Sequence, residues 1–474
     1  MQGESVDATD VRENGMRRMK RPHKRRGLWW GAGAIVVVAC MAGGVALAAS
    51  GGSGGPGDLP AVAGNTPAPV LSNVSLTFDS GTAAQMAMAQ TMNKYSLHGT
   101  FFINSGFVGK KGFMSRADLQ ELANEGQEIG GHTLTLADLP SVDVNEAKRQ
   151  VCNDRVNLTN WGYTVTSFSY PFGSLNAEVE KIPAVCGYNS ARGMATVSGK
   201  SGCVGCKPAD TVLPADVFAT KATAGIDGQW TLADLKEAVT ASKSQGSWLQ
   251  LVFGTGAEID NQNPLAPDVF DAFCAWLSSA SDQGITVRTV HEMIGKGAAA
   301  VTPGPVKSPV PPNVNAVQNP GLETPGAWNL PQCWQSSSYG NNKSVFSTVT
   351  PGLTGKSSAQ LQVSGYVSGD AKVLPKLDFG ECSPSVSPRH RYTLGATYTS
   401  TQATQIEVYL RDKSGTWAYW TASPWFPASA DPVTHTWPTP PLPAGAVALS
   451  FGFNLFSNGT IVTDDYTMFD TTGK

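Results

Sequence analysis

Between residues 72 and 298 the chain alternates strand-length apolar runs with stretches of helical period, and this constrains the fold more than any other feature. Strands are predicted over Val74–Phe78, Thr100–Asn104, Glu128–Gly130, Val165–Tyr170, Asn189–Arg192, Trp248–Phe253 and Ile285–Val290. Helices are predicted over Ala83–Tyr95, Arg116–Glu125, Asn145–Trp161, from Thr231 to near Gln245, and over Pro267–Ser279. Ser115 with Asp118 at the third helical position makes a helix start, and Gly126 a stop. Repeated strand–helix units imply a parallel sheet with helices against it, and about seven of them favour a distorted (β/α) barrel. In such barrels functional side chains sit at the C-terminal ends of strands, where Asp79, His132, Pro171 and Gly254 all fall.

The pattern changes beyond a Pro- and Val-rich linker at 299–318, semi-rigid by composition. From 319 to 474 no helical period appears. Short alternating stretches recur between Gly, Pro, Asn and Asp turns: Ser358–Val363, Arg391–Tyr398, Gln405–Tyr409, Trp417–Thr421, Ala446–Phe453 and Thr460–Met468. This predicts an all-β sandwich, jelly-roll-like.

The N-terminus reads as a targeting segment. Residues 1–27 carry Arg17, Arg18, Lys20, Arg21, Lys24, Arg25 and Arg26, and 28–49 are uncharged. As a helix that run would span roughly 33 Å, enough for a bilayer core. The basic flank places the N-terminus in the cytoplasm and the rest outside. A retained single-pass anchor and a cleaved signal both fit, since Ala46-Leu47-Ala48 resembles a peptidase site. A lipidated Cys40 fits less well, because the apolar run continues past it. Residues 50–71 are a flexible Gly/Ser/Pro tether. The net charge of −3 gives no electrostatic case for nucleic acid.

An exported chain meets conditions that permit disulfides. Beyond Cys40 there are Cys152, Cys186, Cys203, Cys206, Cys274, Cys333 and Cys382. Cys333 and Cys382 stand alone in the last domain, which favours a bridge between them. Cys203 with Cys206 suits a local bridge beside Cys152–Cys186. Cys274, on an apolar helical stripe with Phe270 and Leu277, reads as a small core residue.

Three stretches carry a resemblance: Ser75-Leu76-Thr77-Phe78-Asp79, Glu128-Ile129-Gly130-Gly131-His132-Thr133 and Ser169-Tyr170-Pro171-Phe172-Gly173, with Cys186-Gly187-Tyr188-Asn189-Ser190-Ala191-Arg192-Gly193 in support. Residues 72–298 resemble the polysaccharide deacetylase family, the NodB-homology domain of carbohydrate esterases. The resemblance implies a divalent metal, usually zinc, held by an Asp and two His. It also implies an Asp base and a late His acid that together remove an acetyl group.

Carried over residue by residue, Asp79 matches the base and His132 the first His ligand. Ser80 stands at the metal-binding Asp, Leu136 at the second His, Gly254 at the final His, and Ser169 where many members carry Arg. The expectation is therefore a family member with metal-dependent deacetylation lost or impaired, and no cofactor at the barrel site unless zinc is held by an active one. The partner expected is an acetylated cell-wall or environmental polysaccharide, with Tyr170, Phe172 and Arg192 lining the groove. Two alternatives stand beside it. One is an active deacetylase whose rearranged site draws on Glu258 or Asp260. The other is a surface structural or partner-binding protein. Asp79 can also be read as a cap of the next helix, and His132 as a hydrogen-bonded pocket residue.

The last domain resembles carbohydrate-binding β-sandwich modules through Asn319-Pro320-Gly321-Leu322-Glu323 and Val462-Thr463-Asp464-Asp465-Tyr466. That resemblance implies a structural calcium shared by Glu323 and Asp465; the other reading is two unrelated surface acids. Trp417 and Tyr419 fall on one strand face and Trp420 on the other, so at most one set is free; exposed, such rings stack on sugar faces, and buried, they are core.

Overall fold

The computed structural model describes residues 72–473 apart from 201, 245, 255–263 and 327–328. The basic segment, apolar run, tether and Cys40 lie outside the described residues, as do Glu258 and Asp260. Among the described residues no helix is long and apolar enough to cross a membrane.

The first domain runs β1 (Ser72–Ser80), α1 (Gln85–Lys94), β2 (Thr100–Ile103), α2 (Arg116–Asn124), β3 (Glu128–Gly131), α3 (Val144–Asn160), β4 (Ser167–Ser169), α4 (Ile182–Cys186) and β5 (Ser190–Arg192). It continues with β6 (Asp210–Thr211), β7 (Ala222–Ile226), α5 (Leu232–Ala241), β8 (Ser247–Phe253), α6 (Pro267–Ser278), β9 (Ile285–Val287) and α7 (Val290–Ile294). The sheet order is β5-β4-β3-β2-β1-β8-β6, with β7 also on β8 and β9 also on β1. Every pairing is parallel except β6 with β8. The sheet curls until Arg192 bridges Thr220, and Gly193 N donates to Thr220 O at 3.1 Å. This is the expected distorted barrel, with a thin seam between β5 and the approach to β7.

Local chemistry accounts for the elements. The capping box of Ser115 with Asp118 starts α2, and Thr231 with Asp234 starts α5. The last strand stops at Val287 rather than Val290, because Thr289 and Glu292 form another capping box that opens α7. Likewise α5 ends at Ala241, short of Gln245. Behind the start of the site, Phe78 packs on Phe101 with ring centroids 4.5 Å apart, on Phe253 at 5.4 Å and edge-on to Phe270 at 6.3 Å. Such pairs contribute about 0.5–1.5 kcal/mol beyond area burial, so Phe78 sets the end of β1 on a stiff aromatic base.

The second domain holds β10 (Trp334–Tyr339), β11 (Lys343–Val349), β12 (Ser358–Ser364), β13 (Asp370–Pro375), β14 (Tyr392–Ser400), β15 (Ile406–Asp412), β16 (Trp417–Ala422), β17 (Ser429–Pro438), β18 (Ala446–Leu455) and β19 (Gly459–Asp470). They form two five-stranded sheets, β10-β13-β18-β15-β16 and β11-β12-β19-β14-β17. All their pairings are antiparallel, and the two sheets share one apolar core. Residues 299–305 lie along α3: Arg155 donates to Ala299 O at 2.8 Å and Ala300 O at 3.0 Å, Arg149 Nε to Pro305 O at 2.9 Å, and Gly304 N to Asn153 Oδ1 at 2.9 Å.

The bridges Cys152–Cys186, Cys203–Cys206 and Cys333–Cys382 are all present, as the sequence suggested. Cys274 is free and buried on α6, where burial pushes its thiol up to about 12.

Candidate functional site

Asp79 is the last residue but one of β1, opposite Phe102 of β2. The chain then turns through Ser80 at φ 77° and Gly81 at φ 67°. This left-handed pair swings the main chain away and leaves the Asp79 carboxylate at the strand end. Gln85 Nε2 donates to Asp79 O at 2.6 Å and ties the turn to α1. The carboxylate itself is ion-paired with Arg192 Nη2. The same nitrogen donates to Ser169 Oγ at 2.7 Å, and Ser169 Oγ lies 3.4 Å from Asp79 Oδ2. Ser169 and Arg192 are direct partners across β4 and β5. The position where the family resemblance implies Arg is thus served by a guanidinium from the next strand. Both charged side chains are buried, at 1% and 5% exposure.

His132 follows β3 and is fully buried. Its Nδ1 sits 2.7 Å from Ser169 O. A carbonyl oxygen only accepts, so Nδ1 carries the proton and, in the neutral ring, Nε2 carries the lone pair. The His132 main chain is fixed from below: its N–H donates to Asp154 Oδ2 at 2.9 Å, and Ser105 N donates to Asp154 Oδ1 at 2.8 Å. Burial pushes the Asp154 carboxyl up to about 6 against those two donors. Gly131 is required here, because a Cβ would meet Tyr188 Oη at 2.0 Å. Asn104 Nδ2 donates to Thr133 O at 3.0 Å and holds the turn that follows.

The remaining positions of the resemblance offer no strong donor. Leu136 is buried at φ 56°. Gly254 directly follows β8. Ser80 Oγ is buried with no hydrogen-bond partner among the described residues. Among the described residues no group of three His, Cys, Asp or Glu could hold a metal. A zinc site needs three protein ligands; here one imidazole stands beside a carboxylate already committed to Arg192. The described residues at 79, 80, 132, 136 and 254 do not by themselves fit the metal that the resemblance implies.

The other sequence candidates disperse. Tyr170 is buried, and its hydroxyl donates to Phe218 O at 2.9 Å and Glu180 O at 3.3 Å. Phe172 is 39% exposed, with φ 60°. Trp417 is buried and donates to Asp378 O at 3.2 Å, whereas Tyr419 is 45% exposed. Glu323 and Asp465 do meet one turn: Glu323 Oε1 accepts from Lys356 N at 2.7 Å, and Asp465 Oδ2 from Thr354 Oγ1 at 2.7 Å. Asp154 is the residue that sequence reading passed over. The signal was available, because it shares a buried stripe of α3 with Ala147, Val151 and Leu158, and an acid on such a stripe needs donors.

Residues 68–191 match the family model described as Polysaccharide deacetylase, which supports a domain of that family for this part of the chain. The protein YxkH of Bacillus subtilis (strain 168), whose name carries the same family description, is 26% identical over 117 residues, 24% of this chain. The chain spans 42% of that relative's length. Among solved structures, the peptidoglycan deacetylase PdaC of Bacillus subtilis is 19% identical, covers 48% of this chain and 90% of its own, and has a TM-score of 0.31. A family 4 acetyl xylan esterase from Clostridium thermocellum, complexed with cobalt, is 16% identical, covers 47% of this chain and 90% of its own, and has a TM-score of 0.32.

Proposed function

We propose that the barrel binds an acetylated cell-wall or environmental polysaccharide without efficient metal-dependent deacetylation. The observation that carries this reading is the donor set itself: Ser80, Leu136 and Gly254 stand where the resemblance implies a metal-binding Asp and two His, and Leu136 and Gly254 have no side-chain donor atom. His132 supplies one ligand nitrogen, and nothing at 80, 136 or 254 matches the strength of the missing ones. The basic cluster and apolar run before residue 50 support an exported chain, anchored or released, that meets such polysaccharides outside the cell. Glu323 and Asp465 suit a structural calcium at the 354–357 turn, because both offer carboxylate oxygens there. Acetate release from N-acetylglucosamine polymers and from acetylated xylan, with zinc supplied, tests the barrel reading. The expected result is no release above the protein-free rate, and release that a chelator abolishes overturns it.

A further inference from the structure

A cleft of about 320 Å³ opens where α3, the segment 305–307 and the end of β15 meet. Arg149 of α3, Lys307, Arg411 of β15 and Lys413 in the turn after it all line this space. Asp412 is the one acid among its described lining residues. Its Oδ1 is already taken up by the turn, accepting from Ser414 N at 2.8 Å, Ser414 Oγ at 2.6 Å and Thr416 N at 3.0 Å. The lining is therefore strongly cationic.

The cations are not equally engaged. Arg149 is ion-paired with Glu146 and with Glu381, each at 3.3 Å. Lys307 Nζ donates to Glu381 O at 2.8 Å. Arg411 differs from both. Its guanidinium lies over the Phe379 ring at 5.2 Å and the Trp417 ring at 5.9 Å. Among the described residues its side chain makes no hydrogen bond and no ion pair, and its Nε is buried without a partner. A guanidinium carries five N–H donors, and buried polar atoms ordinarily have a partner. Burial lowers the Arg411 pKa; Glu146 and Asp378 oppose that through space, and Arg149 adds to it. Those two acids are committed elsewhere. Glu146 accepts from Phe379 N at 2.8 Å and from Arg149, and Asp378 from Gly380 N at 3.1 Å, Cys382 N at 2.6 Å and Ser383 N at 2.9 Å. A Cβ at Gly380 would lie 3.7 Å from Arg149 Nε and 3.9 Å from Arg411 Nη2, so the two guanidinium groups flank one point.

We propose that this cleft is an anion site that takes a phosphate group, held by Arg411 and Lys413 with Arg149 beside them. A guanidinium presents paired donors that match phosphate oxygens, and the flat rings of Phe379 and Trp417 hold its plane in place. An apolar ligand would leave the Arg411 donors unmet, at a cost. A cationic ligand meets like charge. The volume is at the small end of ordinary ligand pockets, so a phosphate ester of a short polyol fits as well as the free ion. Because the lining comes from α3, from 305–307 and from β15, a bound phosphate ties the barrel to the sandwich. The inference uses no part of the polysaccharide reading above.

Calorimetric titration of the full chain, in mild detergent at constant ionic strength, tests it with inorganic phosphate and with glycerol 3-phosphate as probes. Saturable binding of at least one, at one site per chain, is expected. Tighter binding of glycerol 3-phosphate supports an ester as the ligand, and tighter binding of inorganic phosphate supports the free ion. Arg411→Met keeps an unbranched side chain between the two rings and is expected to weaken binding at least about tenfold. Lys413 is exposed, so Lys413→Ala leaves the fold untouched; it is expected to weaken binding about twofold to fivefold. Should Arg411→Met fail to fold, an affinity unchanged in Lys413→Ala overturns the proposal by itself. Affinity unchanged in both variants, a response that sodium chloride reproduces, or no saturable binding of either probe overturns it as well.

Discussion

Arg192 Nη2 bonds Asp79 and Ser169 together, so one guanidinium from β5 joins the ends of β1 and β4. Both side chains are buried. It follows that Arg192 carries structural weight whatever the groove binds. Arg192→Met leaves an uncompensated buried carboxylate and is expected to destabilise the barrel by about 3–5 kcal/mol. Combining it with Asp79→Asn should return much of that loss. Urea unfolding of the three proteins checks this; simple additivity of the two single effects would refute the pairing.

The metal question has its own measurement. Purified chain is expected to carry well under one zinc per molecule by elemental analysis. Ser80→Asp with Leu136→His should raise zinc occupancy, since a carboxylate and an imidazole then join His132. Ser80 and Leu136 sit at positive φ, where Asp and His are both among the better-tolerated residues, so neither change should add backbone strain. Near-stoichiometric zinc on the unaltered chain would contradict the lost-metal reading.

Where the two domains meet, burial, with Asp378 next, pushes the Glu146 carboxyl up to about 7. Its oxygens accept from Phe379 N at 2.8 Å and from Arg149 Nη1 at 3.3 Å. A carboxyl raised in the folded state binds its proton more tightly there than in the unfolded chain. Its contribution is greatest below the unfolded value of about 4.3 and falls as pH rises toward 7. Glu146→Gln should therefore flatten the decline in thermal midpoint between about pH 4.5 and pH 7. An unchanged slope would place the titration elsewhere.

The disulfides should differ in weight with the loops they close. Cys152–Cys186 spans 34 residues and Cys203–Cys206 spans 3. Replacing the first pair by Ala should cost about 4 kcal/mol and the second less than half of that, on the chain-entropy account. Equal losses in denaturant midpoints would show that strain or solvation dominates instead.

Calcium gives a further check on the second domain. Added calcium is expected to raise the melting temperature of the unaltered chain, and Glu323→Ala with Asp465→Ala to remove that rise. A rise that persists in the variant would locate the ion away from the 354–357 turn.

The fold was legible where local chemistry and periodicity agree. Ser115 with Asp118, Thr231 with Asp234 and the apolar run of β8 marked their elements within a few residues. Reading faltered where tertiary pairing decides. Ala222–Ile226 holds two Ala and a Gly and shows little strand propensity, yet it pairs with β8. The stretch 285–290 is apolar enough for a longer strand, but Thr289 and Glu292 prefer a cap. At the site, motif order identified Asp79 and His132. The Ser169–Arg192 substitution could not be read, because it depends on which residues face each other across β4 and β5. Asp370 and Lys372 share β13, but their meeting with Glu407 of β15 was equally hidden, since only the sheet brings those two strands near each other.

The contacts of 299–305 with Arg149, Asn153 and Arg155 have a mechanical meaning. A swivel would let a pull on the second domain dissipate in slack chain. Here the pull is delivered to the side of α3, the helix that carries Asp154 and, through it, holds the His132 backbone. A force on the second domain would thus reach the strand end that carries His132.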